Sequence, residues 1–324
     1  MRRVDPQNVI KPAHLEPGDT IGIIAPASPP RDPDAIDCGV AWLEQLGFRV
    51  KLAKHVRARA GFLAGTDTER AADLMQMFAD PKVKAILCVR GGYGTGRLLP
   101  LVDYGLIRRN PKVFVGHSDV TALLCAIRAR ANLVTFHGPM LTGAFAKANL
   151  PAFTRESFLR TIMRPEAAGS ICQGYNRRTV TTLHNGVAKG ELVGGNLSVL
   201  CTLIGTPYQP VFRGRILFFE DVDEPPYRID RMLTHLLNAG LLQQVAGVAV
   251  GTNKNCNEPV VTKTKEYRQT LDDVLEDRLG ALNVPVVIGL PFGHGAFNAT
   301  IPIGGTALLD ANNADLVLTE APVA

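Results

Sequence analysis

The sequence predicts an α/β protein with two domains: an amino-terminal doubly wound parallel-sheet domain of the flavodoxin or Rossmann-like type, and a carboxyl-terminal β-rich α+β domain. Three observations lead to this prediction. The length of 324 residues fits two domains better than one or three. In the first half, short apolar runs alternate with segments of helical periodicity. In the second half, strand-like runs dominate and two helical segments interrupt them.

Strands and helices alternate regularly in the first half. The apolar run TIGIIA is followed by prolines, which is typical of a buried parallel strand entering a loop. The next segment has apolar residues three and four positions apart, as in an amphipathic helix, and Gly47 ends it. By the same criteria, strands are expected at Thr20–Ala25, Phe48–Leu52, Ala85–Val89 and Val113–Gly116, and helices at Asp34–Leu46, Thr68–Phe78 and Val120–Arg130. Ligands of such sheets bind beyond the carboxyl ends of the strands.

The second half lacks this alternation. From about residue 145 to 190 there is no sustained periodicity, and Pro, Gly, Arg and Thr are frequent. We therefore expect an amino-terminal domain at 1–150, a connection at 151–185 and a carboxyl-terminal domain at 186–324. Beyond the connection, strands are expected at Ile216–Phe219, Val245–Val250, Val284–Ile288, Ala307–Leu309 and Leu316–Leu318, and helices at Ile229–Asn238 and Tyr267–Leu279.

Composition and charge exclude several classes of protein. The formal net charge of +5 is spread along the chain, so no nucleic-acid partner is expected. The six cysteines never form a Cys-x-x-Cys pair, which argues against a disulfide framework and a zinc ribbon. No apolar run approaches the roughly 18 residues of a transmembrane helix, and the amino terminus lacks the apolar stretch of a signal peptide. We expect a soluble cytoplasmic protein without a membrane partner.

A glycine-rich turn at 90–96 (RGGYGTG) follows the third predicted strand. It resembles a phosphate loop, but Arg97 and Leu98 stand where lysine and a hydroxyl residue are needed, and the G-x-G-x-x-G pattern also fails. A dinucleotide site is therefore not expected. Two interpretations remain open: a pocket of exposed backbone N–H groups for an anion, or a tight turn that needs positive φ.

A second motif, GHSD at 116–119, lies between a predicted strand and a predicted helix. This is the context of a nucleophile elbow, although Val120 breaks the G-x-S-x-G pattern of hydrolases. On the residues alone, a helix N-cap at Ser118 or Asp119 is the commoner explanation. His117 is not expected to be the base, because adjacent residues in a tight turn project in different directions.

Acids and a histidine occupy strand ends in the second half. Four carboxylates follow the run at 216–219, namely Glu220, Asp221, Asp223 and Glu224, and by default most of them form a solvated loop face. His294 stands between two glycines after the run at 284–288, which makes it approachable. No metal-ligand spacing is visible, so no metal is expected. Ser118, one of these carboxylates and His294 have the chain order of a hydrolytic triad.

Together these motifs resemble the L,D-carboxypeptidase family of serine peptidases, family S66. The resemblance extends over nearly the whole chain and rests on PGDTIGIIAPASP at 17–29, RGGYG at 90–94, GHSD at 116–119, LVGGNL at 192–197, FED at 219–221 and GHG at 293–295. It implies Ser118 as nucleophile, His294 as base and Glu220 as the orienting carboxylate. It further implies an oxyanion hole formed by the N–H groups of Gly92 and Asp119, no cofactor, and a homodimer.

The resemblance also implies the substrate, a cytoplasmic murein tetrapeptide that loses its terminal D-alanine during peptidoglycan recycling. A carboxypeptidase must bind a terminal carboxylate, for which Arg90, Arg228 and Arg231 are candidates. Arg90 is slightly preferred because it adjoins the glycine turn.

Other functions stay open at this point. A second branch of the family hydrolyses the amide of a peptidyl nucleotide antibiotic and confers self-immunity; a nucleobase is usually held by stacking, but Trp42, the single tryptophan, is expected in the core. A non-catalytic protein that binds peptides or amino sugars is a further alternative, which the intact triad disfavours. A nucleotide-binding oxidoreductase is disfavoured by the failed glycine patterns.

Overall fold

Two β-sheets form the framework of the computed structural model, which describes residues 9–257 and 269–324. The first sheet contains Thr20–Ile24 (β1), Arg49–Leu52 (β2), Val83–Cys88 (β3), Val113–Gly116 (β4), Thr135–His137 (β5) and Ile301–Ile303 (β12). Its strand order is β12-β5-β4-β3-β1-β2, and all neighbours are parallel except β12 and β5. The predicted parallel-sheet domain is thus confirmed.

Helices connect the parallel strands of this sheet. They are Ala35–Gln45 (α1), Asp67–Ala79 (α2), Tyr104–Arg109 (α3) and Thr121–Ala131 (α4). A capping box starts α2: the Thr66 hydroxyl accepts from the Glu69 N–H, and the Glu69 carboxylate accepts from the Thr66 N–H. Most of α4 is buried, which agrees with its predominantly apolar sequence.

A further helix, Ala152–Met163 (α5), lies where the sequence predicted only a connection. Its buried face includes Thr154 and Ser157, and these polar residues interrupt the apolar periodicity that would have revealed the helix. Both hydroxyls accept backbone hydrogen bonds of 3.0 Å, from the N–H groups of Asn298 and Thr300. The helix is therefore attached to the loop that follows the predicted histidine.

The second sheet contains Gly169–Ser170 (β6), Thr181–His184 (β7), Val187–Asn196 (β8), Ile216–Glu220 (β9), Gly247–Val250 (β10), Val286–Ile288 (β11), Thr306–Asp310 (β13) and Asp315–Leu318 (β14). The order is β6-β14-β13-β8-β9-β10-β11-β7, with parallel pairing from β8 to β11 and antiparallel pairing outside them. The accompanying helices are Leu197–Thr202 (α6), Pro226–Asn238 (α7) and Leu271–Leu279 (α8). The predicted α+β character of this half is confirmed; Tyr267, the expected start of α8, lies outside the described residues.

The two sheets are closely joined. Helix α4 contacts β4 and β5 of the first sheet as well as β8 of the second. Strand β12 completes the first sheet, although it belongs to the stretch 186–324 that was expected to form the second domain. The domain limits stay a prediction. The chain crosses between the sheets twice more than expected, into the first sheet at β12 and back to the second at β13. None of the helices in the described ranges is long and apolar enough to cross a membrane.

Candidate active site

Ser118 lies at the sharp turn between β4 and α4. Its φ of 61° is in the left-handed region, which is uncommon for a residue other than glycine. Strand, strained serine and helix follow one another as in a nucleophile elbow. The N-cap of α4 is Val120, and it makes no side-chain cap hydrogen bond. The alternative interpretation of Ser118 or Asp119 as the cap of this helix is therefore wrong.

The Asp119 side chain connects the elbow to the glycine turn. Its Oδ2 accepts a hydrogen bond of 2.8 Å from the N–H of Thr95. The backbone carbonyl of Asp119 accepts a second one from the Thr95 hydroxyl. The backbone nitrogen of Asp119 lies close to the glycine turn, since a Cβ built on Gly91 would lie 3.2 Å from it.

The glycine turn packs directly on the candidate nucleophile. A Cβ on Gly91 would lie 2.8 Å from the Cβ of Ser118, so only glycine fits at this position. The next residue, Gly92, lines the same cavity as Ser118. Within the described ranges the Gly92 N–H donates no hydrogen bond, so it is available to a ligand. Both open interpretations of the turn apply: it needs glycine geometry, and it presents a backbone donor.

Glu220, the last residue of β9, and His294, in the loop after β11, are hydrogen-bonded to each other. Oε2 of Glu220 accepts from Nδ1 of His294 at 2.5 Å and from the His294 backbone N–H at 3.1 Å. A Cβ on Gly293 would lie 2.6 Å from Cγ of Glu220. The glycine before the histidine thus permits the close approach of the two segments.

Burial and charge set the protonation of this pair. Burial alone would raise the pKa of the fully buried Glu220, but its interactions with the imidazoles of His137 and His294 outweigh this effect and hold that pKa well below its usual range. Burial likewise opposes protonation of His294, yet the hydrogen bond and negative charge of Glu220 raise the pKa of His294 above its ordinary value. Glu220 is therefore an ionised partner for a basic imidazole.

The other three acids of the strand end have different partners. Asp221 accepts from Nδ2 of Asn196 at 2.9 Å, and burial raises the pKa of this carboxyl to about 6. Asp223 accepts from Nδ2 of Asn255. Glu224 forms an ion pair with Arg228 at 3.2 Å. Of the four carboxylates, Glu220 is the one that binds His294.

His117 stands next to the site but is oriented by the backbone. Its Nδ1 donates to the carbonyl of Gly138 at 2.9 Å, and its ring makes an edge contact with the His294 ring at a centroid distance of 5.1 Å. Burial, with smaller effects from His294 and His137, lowers the pKa of His117 to about 3. A neutral imidazole with so low a pKa is a poor general base.

A cavity of about 470 Å³ opens over Ser118 and His294. Four cationic side chains line it, namely Arg31, Arg90, Lys147 and Lys254, against one acid, Asp32. Of these cations, only Arg90 was predicted from the sequence as a candidate for substrate binding. Lys254 follows β10, so the rule that sites form at strand ends offered a signal for it, whereas nothing in the sequence pattern marked Lys147.

Two predicted carboxylate-binding residues lie elsewhere. Arg228 and Arg231 are on α7; the first is ion-paired with Glu224 and the second stacks over the Tyr227 ring at 5.4 Å. Neither lines the cavity. Their assignment to the substrate carboxylate is therefore corrected, because Ile229 and Leu233 of the amphipathic helix face the core and the arginines project outward.

Within residues 9–257 and 269–324, no three His, Cys, Asp or Glu side chains are grouped so that they could hold a metal ion. What the site does contain is a strained serine, a histidine bound to a buried carboxylate, and a free backbone donor around one cationic cavity. These are the parts required for acyl transfer through a nucleophilic serine.

Comparison with known proteins agrees with this chemistry. Residues 21–138 match the LD-carboxypeptidase N-terminal domain and residues 189–309 match the LD-carboxypeptidase C-terminal domain. The chain is 43% identical over 300 residues to a probable murein peptide carboxypeptidase of Bacillus subtilis, covering 93% of this chain and 91% of the relative.

Two solved structures have the same fold. Muramoyltetrapeptide carboxypeptidase from Oxalobacter formigenes superposes with a TM-score of 0.80 at 32% identity, covering 94% of this chain and 100% of the other. The Microcin C7 self-immunity protein MccF in its wild-type apo state superposes with a TM-score of 0.86 at 26% identity, covering 97% and 100%. The resemblance predicted from the motifs is confirmed: this chain belongs to the LD-carboxypeptidase family of serine peptidases.

Proposed function

We propose that the protein is a metal-independent serine L,D-carboxypeptidase that releases the terminal D-alanine of murein tetrapeptides, with Ser118, His294 and Glu220 as its catalytic triad. The observation that carries the proposal is the hydrogen bond between Glu220 and His294 at the edge of the cavity that Ser118 lines. The murein peptide carboxypeptidases among the relatives support the substrate class.

In the proposed mechanism each group of the site has a role in acyl transfer. Because Nδ1 of His294 donates to Glu220, its Nε2 carries the lone pair that takes the Ser118 proton. The serine oxygen attacks the amide carbonyl, and the N–H groups of Gly92 and Asp119 receive the developing oxyanion. His294 then gives its proton to the leaving amine of D-alanine. Water hydrolyses the acyl-enzyme by the same proton transfers in reverse.

The cavity also offers a partner for the terminal carboxylate. In the leaving D-alanine this carboxylate is attached to the carbon next to the amine that His294 protonates, so its cation must lie close to His294. Lys254 meets this condition: it lines the cavity, and its charge opposes protonation of His294. Its Nζ makes no ion pair or hydrogen bond with the described residues. We assign the carboxylate to Lys254.

Arg90 lines the cavity at the glycine turn. It adjoins the glycine turn, its guanidinium donates to the Pro29 carbonyl at 3.3 Å, and burial, with a smaller effect from the charge of Arg31, lowers its pKa. On this side it is placed to bind carboxylates on the acyl part of the peptide. Arg90 is therefore the second candidate for substrate binding.

The self-immunity function is less well supported. A nucleobase is usually held on an aromatic side chain, but none of the described residues around the cavity is Phe, Tyr or Trp. Trp42 stacks on Phe145 at 4.6 Å and packs against the core, as the sequence predicted. The cationic lining matches a peptide that carries several carboxylates.

A substrate comparison tests the proposal. D-alanine release from a purified murein tetrapeptide, measured in EDTA, is expected to proceed at the same rate as without the chelator. An aminoacyl-adenylate amide serves as the competing substrate, and its faster hydrolysis would favour the self-immunity function. Loss of activity in EDTA that zinc or magnesium restores would contradict the metal-independent mechanism.

Two further properties belong to this proposal. The first is a cytoplasmic location, because the names of several relatives refer to murein peptides and a cytoplasmic enzyme would meet such peptides during recycling. Cell fractionation tests this location. A homodimer is the second, and light scattering of the purified protein tests it. A monomeric mass with full activity would contradict the proposed homodimer.

A further inference from the structure

His137 approaches the carboxylate oxygen of Glu220 that His294 does not bind. It ends strand β5, is fully buried, and its Nε2 is 3.7 Å from Oε1 of Glu220. Among the described residues, neither ring nitrogen of His137 has a hydrogen-bond partner, and Oε1 of Glu220 has none either. A buried donor and a buried acceptor thus face each other without other partners, which is costly unless they pair.

Within the part of the chain that the structure describes, three aromatic side chains contact the His137 ring. One is His117, at a centroid distance of 5.7 Å, whose Nδ1 donates to the Gly138 carbonyl. Phe218 and Phe292 contact the His137 ring edge-on, at centroid distances of 5.6 and 6.2 Å. The backbone of His137 is paired with Gly116 of β4 on one side and Ile301 of β12 on the other. The strand is therefore fixed on both edges, and aromatic side chains pack against the ring.

We infer that His137 is a positioning residue whose Nε2–H holds the second oxygen of Glu220. The inference rests on the proposed triad. The carboxylate would then be held between two imidazoles, with His294 on Oε2 and His137 on Oε1. The separation exceeds an ordinary hydrogen bond by about 0.7 Å, which a small movement of either side chain removes.

A hydrogen bond donated by Nε2 of His137 would change how strongly His294 holds its proton. A hydrogen bond to Oε1 withdraws negative charge from Glu220, so the carboxylate attracts the proton of the His294 imidazolium less strongly. The other charged or titratable groups near His294 are Asp221, Lys254 and His117; His137 also has a small effect on the pKa of His117, so the ring signals of His117 are followed together with those of His294. His137 thereby limits how far the pKa of His294 rises.

The first test needs no catalysis and no substitution at His137. Nitrogen-15 NMR of the histidine rings in the intact protein reports which nitrogen carries the proton. We expect the Nε2–H tautomer at His137. The Nδ1–H tautomer would leave Oε1 of Glu220 without this donor and would overturn the inference.

The second test compares variants in the Ser118→Ala background, where hydrolysis plays no part. His137→Phe removes the donor at nearly constant size, and His137→Gln keeps an N–H at a similar reach. The ring signals of His294 are followed during a pH titration. Loss of a hydrogen bond to a carboxylate should move the midpoint up by about one pH unit in the Phe variant, and the Gln variant should restore it.

The outcomes separate the two proposals. An unchanged midpoint in His137→Phe, with only a lower melting temperature, would show a purely structural histidine. A shifted midpoint in a protein that never releases D-alanine would support the role of His137 while contradicting the proposed substrate. If His137→Phe does not fold, the tautomer in the intact protein and the titration of His137→Gln decide the question.

Discussion

His294 binds Glu220 twice, through Nδ1 at 2.5 Å and through its own backbone N–H at 3.1 Å, and both bonds end on the same carboxylate oxygen. The acid therefore fixes the position of the loop as well as the plane of the ring. Such double attachment holds the imidazole in one tautomer with Nε2 unprotonated, as a base beside a serine requires.

Glu220→Gln should impair turnover with little loss of stability. The amide keeps the size of the side chain but removes the charge that stabilises the imidazolium, so kcat should fall by about 10³- to 10⁴-fold. The thermal melting temperature should stay nearly unchanged. Asp223→Asn, at an exposed acid bonded to Asn255, is the matched control and should retain activity. Full activity of Glu220→Gln would transfer the acid role to Asp221, Asp223 or Glu224.

The pH dependence of kcat/KM follows from the raised pKa of His294. A base acts in its unprotonated form, so activity should fall below a midpoint that lies above the ordinary histidine value of about 6.5. Any residual activity of Glu220→Gln should show a lower midpoint, since the negative charge that raises the pKa is gone. A midpoint well below the ordinary value in the unsubstituted enzyme would contradict this assignment.

Gly293→Ala tests the close approach of the two segments. An added Cβ would lie 2.6 Å from Cγ of Glu220, and the φ of 103° disfavours a side chain in any case. Displacement of His294 should reduce kcat by at least about tenfold and destabilise the protein by about 1–3 kcal/mol. Gly96→Ala, where an added Cβ meets nothing within 4 Å, should change neither quantity. Equal effects of the two substitutions would refute the steric argument.

Lys254→Ala should weaken recognition of the terminal carboxylate. Loss of a charge-assisted contact should lower kcat/KM by about 10- to 100-fold, and the effect should disappear with a peptide whose terminus is amidated. Arg228→Ala is the control, because this arginine pairs with Glu224 outside the cavity. A larger loss in Arg228→Ala than in Lys254→Ala would reverse the assignment.

Periodicity located most of the architecture, and the exceptions have physical causes. Strand β4 and helix α4 were predicted because both are predominantly apolar runs with clear ends. Helix α5 was missed because buried hydroxyls take the place of apolar residues on its inner face. Strand β12 was missed because it has three residues, and its partner β5 comes from the other half of the chain.

The site was predictable only in part for a related reason. Ser118 and His294 stand in recognisable turns, and chain order and family resemblance predicted that they act together. The structure places both of them at one cavity. The choice of Glu220 among four acids depends on side-chain direction at the strand end, which spacing does not give. Lys254 and His137 were passed over because their importance comes from neighbours distant in sequence.

The most direct test of the central claim is D-alanine release from a murein tetrapeptide by the unsubstituted protein and by Ser118→Ala. The account predicts release by the first and a loss of about 10⁴-fold or more in the second, with an unchanged melting temperature. Release at comparable rates by both proteins would show that Ser118 is not the nucleophile and would contradict the mechanism proposed for this site.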